Sequence, residues 1–184
     1  GDVYKRQKVR KLIMAQDMIK GGHIVAESTN ILSTNFGGGH IYSIAIDEDM
    51  DNGLIVSRSV YAADEYEDEV WKAKEYAAGD EPLLLLNPPV VPFTALKTYA
   101  DEDRFYNAKG DIVRAYTLHI GDRFSLSEAA FDQTPDEKKY VTYDAASKNY
   151  KVVSAVDETQ FCAQVLKKII RSNLTMYKLQ VMHL

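Results

Sequence analysis

In the stretch DEDMDNG, Asp47, Asp49 and Asp51 alternate, which is how a calcium loop turns its carboxylates onto one hard cation. Such a loop also needs glycine at its sixth position and a bidentate glutamate at its twelfth, and here those positions hold Asn52 and Arg58. The acids are therefore expected to form a solvated hairpin tip. His23, His40, His119 and His183 are scattered, without the H-E-x-x-H spacing that brings two imidazoles onto one metal. The glycines of FGGGH are followed by no Gly-Lys-Ser or Gly-Lys-Thr, so they read as a flexible loop rather than a phosphate cradle. Cys162 falls in the alternating run FCAQVL and is expected to be a small core residue, since a thiolate nucleophile needs an activating base that the sequence does not place. Ser125 and Ser127 lack the G-x-S-x-G elbow that exposes a catalytic serine. The acid runs at 65–69 and 101–103 read as solvated charge. No nucleophile, base and oxyanion donor come together in the sequence, so the expectation is a protein that binds, with no catalytic residue, metal or cofactor.

The elements that would have to position any site are strands. Twelve tyrosines, with many Val, Ile and Thr between Gly, Asn and Asp, predict a mainly β fold with one or two short helices, a small barrel or sandwich that could be divided into two lobes. In HIYSIAID the residues Tyr42, Ile44 and Ile46 share one face, and in LIVSRSV so do Leu54, Val56 and Val60. Asn52-Gly53 between them supplies a tight turn, which predicts a hairpin. YEDEVWKAKEY suits a solvated strand, with a short helix as its rival. The continuous apolar run PLLLLNPP suits a strand covered on both faces and ended by its prolines. FTALKTYADEDRFYNAKG predicts a helix capped by Thr94 and closed by Gly110. DIVRAYTLHIGDRFSLS predicts a second hairpin turning at Gly121-Asp122, and KYVTYD, YKVVSAV, FCAQVLKKII and LTMYKLQVM are expected to be further strands. The resulting division is 14–39 as an N-terminal arm or loop, 40–88 as a β lobe, 89–110 as a proline-rich break with a short helix, and 111–184 as a second β lobe.

The first residues need separate treatment. DVYKRQ matches the in-frame translation of a transposon end used to tag sequencing libraries, and KVRKLI before Met14 resembles a translated ribosome-binding site. Residues 1–13 are thus expected to be artefact and untranslated leader, with Met14 as the start; the rival reading is a short native strand over Val9 to Ile13. These residues carry five of the 22 Lys and Arg and one of the 27 Asp and Glu, so the net charge of −5 becomes −9 without them. A basic arm for nucleic acid then disappears, and no nucleic-acid partner is expected. No apolar run reaches the roughly 18 residues of a membrane helix and no secretory signal is evident, so a soluble, cytoplasmically made chain with no membrane partner is expected. A single cysteine excludes an internal disulfide.

At IAIDEDMDNGLIV, FYNAKGDIVRAYTLHIGDRFSLSEAAFD and KYVTYD the chain resembles small proteins encoded beside the major capsid protein in tailed bacteriophages of gut bacteria. The resemblance implies a capsid decoration or head-associated protein on the exterior of the virion, made in the cytoplasm of a bacterial host. Its partner would be the major capsid protein, with further copies of itself as another. Val90, Val91 and Phe93, set among prolines, are candidates for the contact patch; their rival role is to cap the core between lobes. Two alternatives remain open. Trp71 and several of the tyrosines could make a carbohydrate- or receptor-binding platform if their rings were exposed and coplanar. A small hydrolase or isomerase would need a polar pocket with a strongly perturbed acid, base or cysteine.

Overall fold

The computed structural model describes residues 22–35, 38–62, 69–88, 102–171 and 174–184. The fold is mainly β, built as a closed five-stranded barrel joined to a six-stranded antiparallel sheet. The described helical residues lie in single 3₁₀ turns. Strand β1 (Ala26–Asn30) is followed by the barrel strands β2 (Ile41–Ala45), β3 (Ile55–Tyr61), β4 (Val70–Glu75), β5 (Leu83–Leu85) and β6 (Ile112–Thr117). The chain then runs through β7 (Arg123–Ser127), β8 (Tyr140–Asp144), β9 (Asn149–Val153), β10 (Cys162–Arg171) and β11 (Leu174–His183).

The barrel closes in the order β2-β4-β3-β5-β6. Asn52-Gly53 does form a turn, and Gly53 has a φ of +86°. It does not make the expected hairpin, however: β4 lies between β2 and β3, running parallel to β2 with Ser43 opposite Val70, and antiparallel to β3 with Val56 opposite Glu75. The turn docks instead on β5, where the Gly53 N–H donates to the Leu85 carbonyl at 2.7 Å. Ile44 and Ile46 are buried and Tyr42 packs on the core, as their shared face requires. Leu54 and Val56 are buried as well, but Val60 is 61% exposed. The ladder to β4 shifts register between Arg58 and Tyr61, and a bulge there turns the end of β3 out of the core. Leu83, Leu84 and Leu85 are wholly buried between β3 and β6, which accounts for an apolar run with no alternation.

The sheet has the order β1-β7-β11-β10-β8-β9. Register aligns Phe124, Leu179 and Val165 in one row, and Val181, Ala163 and Val141 in the next. All six belong to the same apolar cluster as Ile44, Ile55, Leu84 and Val113 of the barrel, so one core serves both units. The second expected hairpin is also absent as a pairing. Gly121 has a φ of +96°, but β6 pairs with β2 and β5 while β7 pairs with β1 and β11. At this corner the chain leaves the barrel for the sheet, and Asp122 holds it: its buried carboxylate accepts the Leu32 N–H at 2.9 Å and the His119 N–H at 2.8 Å.

Segment boundaries follow these partnerships rather than the proline-rich break. Residues 14–39 include β1, which pairs with β7 at the edge of the sheet, and β6, expected in the second lobe, closes the barrel. Of the helix expected over 94–110, residues 94–101 lie outside the described residues. The remainder holds one 3₁₀ turn, Glu102–Arg104, and then non-helical chain with Phe105 and Tyr106 buried. The segment 70–75 is a strand, not its helical rival.

Candidate functional site

Most of the chemically capable side chains are consumed in holding the fold. Among the acids of DEDMDNG, Asp51 accepts the Ile24 N–H at 3.0 Å and bonds His23 Nδ1 at 2.7 Å, while Asp49 accepts the Lys109 N–H at 2.7 Å. His23 stacks on Tyr106 with ring centroids 5.1 Å apart. These groups border a cavity of about 370 Å³ with Ile24, Leu54 and Lys148, and they clip the chain before β1 to the barrel. Among the described residues no three His, Cys, Asp or Glu side chains are placed to hold a metal ion.

The fold also brings Ser33 close to His119 and Asp122, which lie more than eighty residues further along the chain. His119 Nδ1 lies 3.6 Å from Asp122 Oδ2, but both carboxylate oxygens already serve backbone N–H groups. Ser33 is buried and its hydroxyl donates to the Thr117 carbonyl at 2.5 Å. The grouping therefore reads as a corner brace rather than an activated nucleophile. Ser127 Oγ accepts the Val25 N–H at 2.9 Å, and Ser125 is buried in the sheet. Cys162 is fully buried; its sulfur faces the Asp157 N–H at 3.5 Å, and burial pushes its thiol up, away from the thiolate a nucleophile needs.

One end of the barrel is different. Strands β2 and β4 begin there, β3 and β6 end there, and Glu81 leads into β5. Arg58 lies with its guanidinium carbon 4.8 Å from the Tyr42 ring centroid and 4.5 Å from that of Trp71. Its Nε donates to Glu81 Oε2 at 2.9 Å, and this bond raises the guanidinium further above its ordinary range. Burial, and then the Glu81 charge, raise the Tyr42 hydroxyl. Tyr61 packs on Trp71 at 5.2 Å, and beside this cluster Ile41, Val60 and Tyr61 are 46%, 61% and 49% exposed. A cleft of about 380 Å³ runs along it, lined by His40, Ile41, Tyr42, Ser43, Glu69 and Trp71. The Trp71 Nε1 atom is buried with no hydrogen-bond partner among the described residues, a state that costs about 1–3 kcal/mol. Stability alone would not select that arrangement.

The rings do not make a flat platform. Tyr61 is inclined to Trp71 by 59° and Tyr42 by 81°, and Arg58 lies over both Tyr42 and Trp71. A sugar ring needs an open aromatic face, and here the faces are turned on one another. Val90, Val91 and Phe93, the patch singled out in the sequence, lie outside the described residues. Sequence reasoning noted Trp71 but missed Arg58, Tyr61 and Ile41 as its neighbours. The only local signal was apolar residues at exposed strand ends.

A closed barrel joined to an antiparallel sheet, with exposed aromatic and apolar side chains at one barrel end, defines a mainly β fold. No protein-family model matches the chain, and no curated protein matches it.

Proposed function

We propose that this chain is a virion structural protein, a capsid decoration or head-associated protein that docks on the outside of a shell of major capsid protein and acts by binding. The observation that supports this reading is the barrel-end patch. Trp71, two tyrosines and Arg58 are the residue types that dominate protein–protein hot spots, and exposed Ile41 and Val60 extend the area that a partner would cover. A single core shared by barrel and sheet makes a rigid body, and a rigid partner loses little ordering entropy on docking at many equivalent sites. The acidic balance suits the exterior of a shell better than its DNA-filled interior, where phosphate charge repels it.

Co-sedimentation with shells assembled from a tailed-phage major capsid protein tests the proposal. Saturable binding at a stoichiometry tied to shell symmetry is expected, and Tyr61→Ala should weaken it roughly tenfold or more. Recovery only in the soluble fraction, or only at the tail tip, would overturn the decoration reading.

A further inference from the structure

The six-stranded sheet turns one face to the barrel, where Phe124, Leu126, Val141, Val165 and Leu179 join the shared core. Side chains alternate along a strand, so Arg123, Ser125, Tyr140, Gln164, Lys178 and Gln180 line the opposite, outer face. Strict alternation after Ala163 and Val165 would turn Lys167 inward. A bulge prevents this: β10 slips against β11 between Val165 and Lys167, and Lys167 comes to lie directly opposite Lys178. Lys168 takes the inward direction instead, with its Nζ 6.0 Å from the Tyr177 ring. On the neighbouring strand Arg123 lies opposite Gln180, one diagonal step from Lys178. Arg123, Lys167 and Lys178 have no anionic partner among the described residues. The charges around them neutralise one another: Arg171 pairs with Glu27 and Glu102, and Lys151 with Asp144. Along the edge of β10, Glu137 accepts the Lys168 N–H at 3.0 Å, and Lys138 and Lys139 follow directly after Asp136 and Glu137. Asp132 accepts the Val152 N–H at the β9 edge. Near Cys162, at the end of β10 away from Lys167, Asp157 is held by Thr159 and Gln160 beside exposed Glu158. The middle of the outer face is thus cationic. Like charges set directly opposite across two strands oppose folding, and here a bulge is what brings them together.

We infer that the outer face of the sheet docks an acidic segment of a protein partner, held extended, with Asp or Glu at alternate positions. Alternate side chains of an extended chain stand about 6.5–7 Å apart. The diagonal from Arg123 to Lys178 is similar, at about 7–8 Å. Gln180 and Gln164, opposite one another beside the cations, offer amide donors and acceptors to the backbone of the segment. The charge complementarity sets specificity and association rate. A nucleic-acid strand fits less well, because such strands are held by stacking bases on rows of aromatic side chains. Tyr140 is the only ring in the two sheet rows that hold the cations. This face lies away from the barrel, so the inference goes beyond the reading of the barrel end and does not depend on it.

The experiment titrates the full chain into dye-labelled probes of equal length and follows their fluorescence anisotropy. One peptide alternates Glu with Ser, a second alternates Lys with Ser, and the third probe is an oligothymidylate. The Glu-Ser peptide is expected to bind saturably. Its Kd should rise roughly fivefold in each of Arg123→Gln, Lys167→Gln and Lys178→Gln, and roughly tenfold on raising salt from about 50 to about 500 mM. Arg114→Gln, which removes an exposed charge from barrel strand β6, should leave the Kd unchanged, and the Lys-Ser peptide should not bind. Lys178→Gln relieves the like-charge pair, so it should hold or raise the Tm while it weakens binding, a combination that loss of a structural contact would not produce. Absence of saturable Glu-Ser binding at low salt overturns the inference. So does a Kd that Arg114→Gln raises as much as Lys178→Gln, which would mean unspecific attraction. Tighter binding of the oligothymidylate than of the Glu-Ser peptide overturns it too, and would make the face a nucleic-acid surface.

Discussion

The hydroxyl of Tyr150, on β9 of the sheet, donates a 2.6 Å hydrogen bond to the carbonyl of Gly53, in the turn that leads into the barrel strand β3. Tyr150 is wholly buried, and its ring sits among Tyr143 at 5.1 Å, Phe131 at 5.9 Å and Phe161 at 6.1 Å. A second bond crosses the same seam, from the Phe161 N–H to the Tyr76 hydroxyl at 2.9 Å. Tyrosine suits this seam because its ring fills the core while its hydroxyl satisfies a backbone group that burial would otherwise strand.

Tyr150→Phe keeps the packing and removes only the donor. The Gly53 carbonyl is then buried without this partner, and the expected cost is about 1–2 kcal/mol in urea denaturation. A change within error would mean that water or another donor serves Gly53 in the native state.

Two glycines with positive φ separate backbone strain from close packing. A Cβ at Gly53 would lie 2.5 Å from Leu126 Cδ2 and 3.0 Å from Ala26 Cβ, whereas one at Gly121 would meet nothing within 4 Å. Gly121→Val should cost about 1–2 kcal/mol from its backbone alone. Gly53→Val should cost more, because it also pushes the turn off β1 and β7. Equal costs at the two sites would refute the close approach of turn and sheet.

Burial holds the hydroxyls of Tyr150 and Tyr143 well above the ordinary tyrosine range. The unfolded chain ionises its tyrosines near about pH 10, so above that pH it sheds protons that the folded state keeps. The seam's contribution is complete below about pH 10 and falls as pH rises further. Tyrosinate absorbance should therefore show a late step that coincides with loss of β circular dichroism. If every tyrosine titrates while the β signal persists, the hydroxyls are not sealed in the seam.

Asp122 braces the corner where chain passes from barrel to sheet. Asp122→Ala leaves the Leu32 and His119 N–H groups without their acceptor and should destabilise by about 2 kcal/mol or more. Asp122→Asn keeps one carbonyl oxygen and should cost less. Hydrogen exchange at the Leu32 amide, faster in the alanine variant than at core strands, would localise the effect to the corner.

Much of the barrel and sheet could be read from local pattern. The strands at 41–45, 55–61, 112–117, 140–144, 149–153, 162–171 and 174–183 fall where period-two alternation or β-rich composition predicts them, and Leu83–Leu85 where an unbroken apolar run does. Tyr42, Ile44 and Ile46 turn inward together because alternation is a property of one strand and needs no partner. Val60 breaks the pattern because a bulge is a property of a pair of strands.

What the sequence by itself determined, then, is most of the strands though not β1, the apolar face of most of them though not at Val60, and where glycine permits a left-handed turn. Each of these follows from backbone sterics and side-chain period within a few residues. Only the tertiary structure decided that β4 comes between β2 and β3, that β6 and β7 part company at Asp122, and that β1 crosses to the far sheet. The reason is physical: a strand carries identical hydrogen-bonding groups along both edges, so its sequence does not name its neighbour. Neighbours are chosen by which pairing buries the apolar faces of the whole chain at the least loop-closure cost, and the meeting of Arg58, Tyr42, Trp71 and Tyr61 at one barrel end is a product of that choice.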